Sequence, residues 1–121
     1  KLTNIELRIG RFEDTLPGAL QQLEQLDYVF IDGNHRKQPT IDYFHQCLKH
    51  AHEDSIFIFD DIHWSVGMEE AWDTIKKHPQ VTGTVDLFFF GIVFFKKEIK
   101  VKSHFTLIQA KWKPWIMGFF K

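Results

Sequence analysis

One cysteine, Cys47, stands in the 121 residues. The chain therefore forms no internal disulfide and builds no multi-thiolate metal site. Cys47 is read as a small buried thiol on a helix, and a reducing, cytoplasmic setting is expected. Long apolar runs are missing too. The longest, Leu87 to Phe95, falls far short of the roughly 20 residues that cross a bilayer, and no signal peptide is visible. Lys1 is not an initiator methionine, so a cloning or proteolytic boundary is expected there. Glycine is sparse, and Gly67, Gly83 and Gly91 stand isolated, so they form no glycine-rich loop. A net charge of −1 gives no support to a nucleic-acid or membrane-surface partner.

What the chain does have is apolar bulk: 44% apolar residues, thirteen Phe and four Trp, enough for the core of one domain. Its charge is unevenly spread. Residues 1–95 carry eight Lys or Arg against fifteen Asp or Glu, whereas residues 96–121 carry seven Lys and only Glu98.

Along the chain, Asn4 to Ile9 reads as a short strand and Pro17 to Leu26 as a short helix, with Pro17 near its first turn. Leu26 to Ile31 is an apolar strand ending at Asp32-Gly33-Asn34. Pro39 to Ala51 reads as a helix, because Ile41, Phe44, Leu48 and Ala51 recur at three- and four-residue intervals. Ser55 to Phe59 is the next strand, and Gly67 to Lys77 a helix with Met68, Ala71, Trp72 and Ile75 on one side. Val81 to Lys97 reads as two strands reversing around Phe90 and Gly91. Strands alternating with helices predict a doubly wound α/β fold, a mostly parallel sheet with helices on both faces. The last two strands are joined too closely to be parallel and must form an antiparallel hairpin. Val101 to Ile108 is a further candidate strand. The aromatic, lysine-bearing stretch Lys111 to Lys121 is expected to pack back on its own domain, the alternative being contact with a membrane or an anionic partner.

Ligand sites in open α/β sheets lie beyond the carboxyl ends of the strands, and two strands here end in acids. Phe30-Ile31-Asp32-Gly33-Asn34-His35 closes one, and Phe57-Ile58-Phe59-Asp60-Asp61-Ile62-His63 closes the next. If the strands are neighbours, Asp32, Asp60 and Asp61 converge with His35 and His63. Converging carboxylates repel, and a divalent cation removes that cost. The histidines can serve as a base or bind a softer metal. The plainer reading is that each Asp caps a helix or closes a turn; its repetition at consecutive strand ends favours a site. His45, His50, His52, His78 and His104 show no convergent spacing; His78, in a last helical turn, is read as favourably charged there. Arg36, Lys37 and Gln38 are read as solvated loop or as contacts for an acidic substrate group.

These segments resemble a known family. Leu26 to His35 looks like the fourth strand and following loop of class I S-adenosylmethionine-dependent methyltransferases, in the branch of sugar and small-molecule O-methyltransferases. Ser55 to Asp61 resembles the fifth strand, Met68 to Trp72 falls in the next helix, and Thr84 to Phe95 looks like the terminal hairpin. Ile5 to Phe12 resembles the third strand with its Gly10-Arg11-Phe12 turn. The resemblance covers roughly residues 4–97, so residues 1–97 are expected to be a partial Rossmann-like methyltransferase domain and residues 98–121 a basic aromatic extension. It implies that Asp32, Asp60 and Asp61 hold magnesium or manganese. It also implies that Gly10, Arg11, Phe12, Asp32 and Gly33 lie near S-adenosylmethionine, and that His35 or His63 takes the proton of a hydroxyl acceptor. The family's glycine-rich first loop and the acid ending its second strand are not in the sequence, so the chain alone is expected to be inactive. The expected function of the intact parent is methyl transfer to a hydroxyl of a small molecule or sugar. The alternatives are a metal-dependent hydrolase and a non-catalytic scaffold. A homo-oligomer is expected from the incomplete sheet.

Overall fold

The computed structural model describes residues 2–107. Helix α1, Phe12–Gln22, carries Glu13 and Asp14 in its first turn, where carboxylates oppose the positive end of the helix dipole. It begins well before the expected start, and Pro17 lies inside it, removing one helical hydrogen bond rather than marking the first turn. Strand β1 is Leu26–Ile31, as expected. Helix α2, Lys37–Leu48, buries Ile41, Phe44 and Leu48 on the predicted face. It stops short of Ala51, which instead opens strand β2, Ala51–Asp60. Helix α3, Val66–Lys77, is capped by Ser65, whose hydroxyl accepts from the Met68 N–H at 3.2 Å. Such a cap satisfies one of the free N–H groups of the first turn.

Strands β3, Gly83–Asp86, and β4, Phe90–Phe94, form the antiparallel hairpin, and β5, Ser103–Thr106, pairs parallel with β3. The reversal falls at residues 87–89, with Phe88 at φ 73°; Phe90 and Gly91 lie inside β4. The stretch Lys111 to Lys121 lies outside the described residues.

The sheet runs β1-β2-β4-β3-β5. Two neighbour pairs are parallel and two antiparallel, so it is a mixed sheet and not a mostly parallel one. The expectation of helices on both faces is also corrected. Phe57, Phe59 and Val93 form one core with Leu20 of α1, Tyr43 and Phe44 of α2, and Trp72 and Ile75 of α3. All three helices therefore lie on that face. On the other face the register aligns Phe30, Ile58, Ile92, Val85 and Phe105 in one row across all five strands. Among the described residues nothing covers it. An uninterrupted apolar strand predicts burial on both faces; here the second face is apolar and open.

The expected strand from Asn4 to Ile9 is absent. Residues 2–10 are irregular and run beside α1, where the Arg8 guanidinium donates to Gln22 Oε1 and pairs with Glu6 at 2.7 Å. Ile5, Leu7 and Ile9 point outward, 67%, 81% and 90% exposed. Ile5, Leu7 and Ile9 alternate with Glu6 and Arg8 as strand residues do, but a strand needs a neighbour for its backbone hydrogen bonds, and among the described residues it has none.

Candidate functional site

Asp32 follows the last residue of β1, and Asp60 is the last residue of β2. The parallel register Ile31↔Phe59 sets the two acids side by side at the carboxyl rim. One ligand atom from each of Asp32, His35 and Asp60 lies within 4.8 Å of the others. The His35 Nε2 atom is buried and has no hydrogen-bond partner among the described residues; Asp32 Oδ1 lies 3.5 Å from it. On the other edge of the ring, Asp61 Oδ2 lies 3.8 Å from Nδ1. Asp61 has a left-handed backbone, φ 53°, and stands outside the group of three. The structure thus gathers Asp32, His35 and Asp60 most closely, with Asp61 behind the imidazole.

Burial holds the Asp60 carboxyl above its usual range, and the charges of Asp61 and Asp32 push it the same way. A buried imidazole nitrogen without a partner beside crowded carboxylates fits a divalent cation. The metal would use the free lone pair and remove the repulsion. Two carboxylates and one imidazole suit manganese better than magnesium, which prefers an all-oxygen shell.

The loop carrying these groups is fixed by α1. Asn34, at φ 49°, donates from Nδ2 to Glu13 Oε1 and to the Tyr43 hydroxyl, each at 3.1 Å, and Tyr43 donates to Glu13 Oε1 at 2.7 Å. The bond from Tyr43 is the main reason the Glu13 carboxyl sits below its usual range. Gly33 is needed for close approach, since a Cβ there would meet the Phe12 ring at 3.0 Å. Gly10 and Arg11 precede α1, and Phe12 opens it, so the Gly10-Arg11-Phe12 turn and the Asp32-Gly33 loop are brought together. Sequence reading missed Glu13 and Tyr43. They are 30 residues apart, and only the fold brings them together, with the Phe12 ring packed edge-on against Tyr43 at 5.5 Å.

His63 is held differently. Its Nε2 meets Asp86 Oδ2 at 2.7 Å, its Nδ1 meets Glu69 Oε1 at 3.1 Å, and its ring stacks on Phe88. Burial alone would lower its pKa, but hydrogen bonds and charge from Asp86 and Glu69 outweigh burial and raise it. A His whose folded pKa is raised contributes stability below its unfolded value of about 6.5, and that contribution is lost as pH rises through the folded value. His63→Gln should therefore destabilise the fold more at pH 6 than at pH 9 in urea titrations. Equal losses at both values would show that the ring is not charged in this contact.

The other histidines serve locally. His52 pairs with Asp27 at 2.7 Å, and His104 Nδ1 lies 2.7 Å from the Thr84 hydroxyl. His78 corrects the expectation of a favourable positive ring, because burial, then His45 and Lys102, lower its pKa. Lys37 pairs with Glu70 at 2.8 Å, and Gln38 donates to Asp42 at 2.8 Å. Burial pushes the Cys47 thiol up to about 11, which leaves it a packing residue.

The five-stranded mixed sheet with its three helices, and the acids gathered where two adjacent parallel strands end, are consistent with a partial Rossmann-like arrangement. The sequence model described as a methyltransferase domain matches residues 2–62, just over half of the chain, and the chain belongs to that family. The matched span holds Asp32, His35, Asp60 and Asp61; His63 lies just beyond it. No curated protein matches the chain. No helix among the described residues is long and apolar enough to cross a membrane. For S-adenosylmethionine, the donor that the family implies, the fit is partial. The turn and loop around Phe12 and Gly33 adjoin the acids, but the sequence has no glycine-rich loop for the methionine and ribose end. The described residues set the acidic cluster beside this turn and do not complete a donor site.

Proposed function

We propose that the intact parent of this chain is an O-methyltransferase that moves a methyl group from S-adenosylmethionine to a hydroxyl of a small molecule or sugar. The single observation that carries the reading is the Asp32–His35–Asp60 cluster inside the span matched by the methyltransferase family. A divalent cation there would polarise the acceptor hydroxyl and fix its position. With His35 Nε2 directed at the cation and its Nδ1 facing Asp61, both ring nitrogens are engaged, so the proton leaving the hydroxyl would pass to the Asp61 carboxylate and not to the imidazole. His63 is the weaker choice of base, because both of its nitrogens already meet carboxylates. The family match favours methyl transfer over hydrolysis at the same acids.

The test is transfer of a labelled methyl group by the intact parent to a panel of small hydroxyl acceptors, with manganese and with excess chelator. Activity should fall by roughly a hundredfold or more with chelator, as expected when a cation supplies several kcal/mol of charge stabilisation. Full activity in chelator would remove the metal from the reading. No transfer to any hydroxyl, with donor bound, would remove the acceptor class.

A second reading, a non-catalytic interaction domain, draws on one observation, the open apolar face of the sheet.

A further inference from the structure

We infer that the acceptor is a flat aromatic hydroxyl compound and not a sugar, and that the tip of the β3–β4 hairpin holds its ring. This rests on the methyl-transfer reading above and narrows its acceptor. The tip carries Phe88 and Phe89, 56% and 57% exposed. Phe88 has a left-handed backbone, φ 73°, which a bulky side chain rarely adopts; Gly or Asn would close the turn with less strain. The ring therefore costs the fold stability and, lying at the surface, returns little by burial. Backbone strain of this kind clusters at catalytic and ligand-binding sites.

The tip is fixed in place from the α3 side. Asp86 Oδ1 accepts the Phe88 N–H at 2.8 Å, and Asp86 Oδ2 meets His63 Nε2 at 2.7 Å. His63 Nδ1 reaches Glu69, in the first turn of α3, at 3.1 Å, and the imidazole stacks on the Phe88 ring at 5.4 Å. Phe89 stands edge-on to Phe88 at 5.2 Å. The acid cluster is close by. Phe90, the residue after the tip, pairs directly with Asp60, so the tip begins one strand spacing, about 4.8 Å, from that carboxylate. One aromatic ring bridges such a gap, so an acceptor laid against Phe88 and Phe89 brings its hydroxyl toward Asp60 and Asp32. A sugar needs polar partners around its ring. Here the polar side chains beside the tip, Asp86 and Glu69, are both engaged by His63. What faces outward is aromatic: Phe88, Phe89 and Trp64, which is 71% exposed on the turn that follows Asp61. A flat ring packs on such a surface edge-on or offset-stacked and leaves no polar group stranded.

The experiment is ligand-observed NMR on the full chain, with phenol and glucose as probes, in magnesium and in manganese. The double variant Phe88→Asn, Phe89→Ser should keep the wild-type circular dichroism, since both rings are exposed and Asn tolerates a left-handed backbone. Phenol should bind the wild type and bind the double variant about fivefold more weakly or worse, the loss expected for two ring contacts. Manganese should speed the relaxation of bound phenol in the wild type and not in Asp60→Asn. Glucose should show neither effect. Absence of phenol binding, equal binding to wild type and double variant, or glucose bound as well as phenol would overturn the inference. Phenol held by the two rings without any manganese effect would uphold the aromatic site and remove the cation from the methyl-transfer reading. Manganese bound through Asp60 with no phenol at the tip would keep that reading and overturn this one.

Discussion

Replacing Trp72 by Ala should cost about 3–5 kcal/mol, the usual loss for a large ring removed from a core. Domains of this size are stable by about 5–15 kcal/mol, so the variant should be partly unfolded at 25 °C or melt far below the wild type. The ring is 2% exposed and lies 6.4 Å from that of Phe59. Beneath it is Gly91 on β4, where an added Cβ would meet the ring at 2.6 Å. Gly91→Ala should accordingly destabilise by about 1–3 kcal/mol through overpacking. The Trp72 Nε1–H has no partner among the described residues, so Trp72→Phe, which removes that donor and keeps most of the apolar surface, should cost much less than Ala. Denaturant titration followed by circular dichroism measures all three. A loss below about 1 kcal/mol for Trp72→Ala would contradict the packing described.

The second large effect is expected at Asp60. Its raised pKa means that the folded state holds the proton to higher pH than the unfolded chain does. Stability from this group is therefore present at low pH, falls as pH rises from the ordinary Asp value of about 3.9 through the folded value, and is gone at neutrality. Without metal at pH 7, Asp60→Asn should raise the melting temperature, because burial and the neighbouring Asp61 and Asp32 no longer act on a charge. With manganese the order should reverse. A cation bound at a hundred times its dissociation constant stabilises the wild type by about 2.7 kcal/mol, while the variant has lost one of three ligands and gains little. Melting curves with and without manganese decide it. An equal manganese shift in both proteins, or none in the wild type, would exclude Asp60 as a ligand.

The acids of this site were legible because an apolar run stopped by Asp is a local pattern, and both strands end where those runs stop. Their adjacency needed only the inference that the two strands are neighbours in one sheet. The spacing of Asp32 and His35 put both on one loop. Their partnership with Asp60 rather than Asp61 depends on the left-handed turn at Asp61, which no spacing reveals. Helix α1 starts at Phe12, with Glu13 and Asp14 in its first turn; a proline read as a first-turn residue sets that start five positions too late. Asn4 to Ile9 reads as a strand and is none, because whether such a segment becomes a strand depends on a neighbour that lies elsewhere in space. The one-sided sheet escaped notice for the same reason. Apolar content shows that a face wants cover, and only the tertiary arrangement shows whether helices reach it.

The strand order has a consequence for how the molecule assembles. Strand β4 lies between β2 and β3 although β3 precedes it in the chain. The β3–β4 hairpin closes over residues 87–89 and can form early, on the microsecond scale of local hairpins. The β1–β2 pairing joins Tyr28 to Ile56, and the β2–β4 pairing joins Asp60 to Phe90; each must close a loop of tens of residues, which is slower. The hairpin should therefore arrive at β2 as a preformed unit, with Trp72 settling over Gly91 as it docks. Hydrogen exchange should then find β3, β4 and β5 opening together from the β2 edge, as one cooperative block separate from β1 and β2.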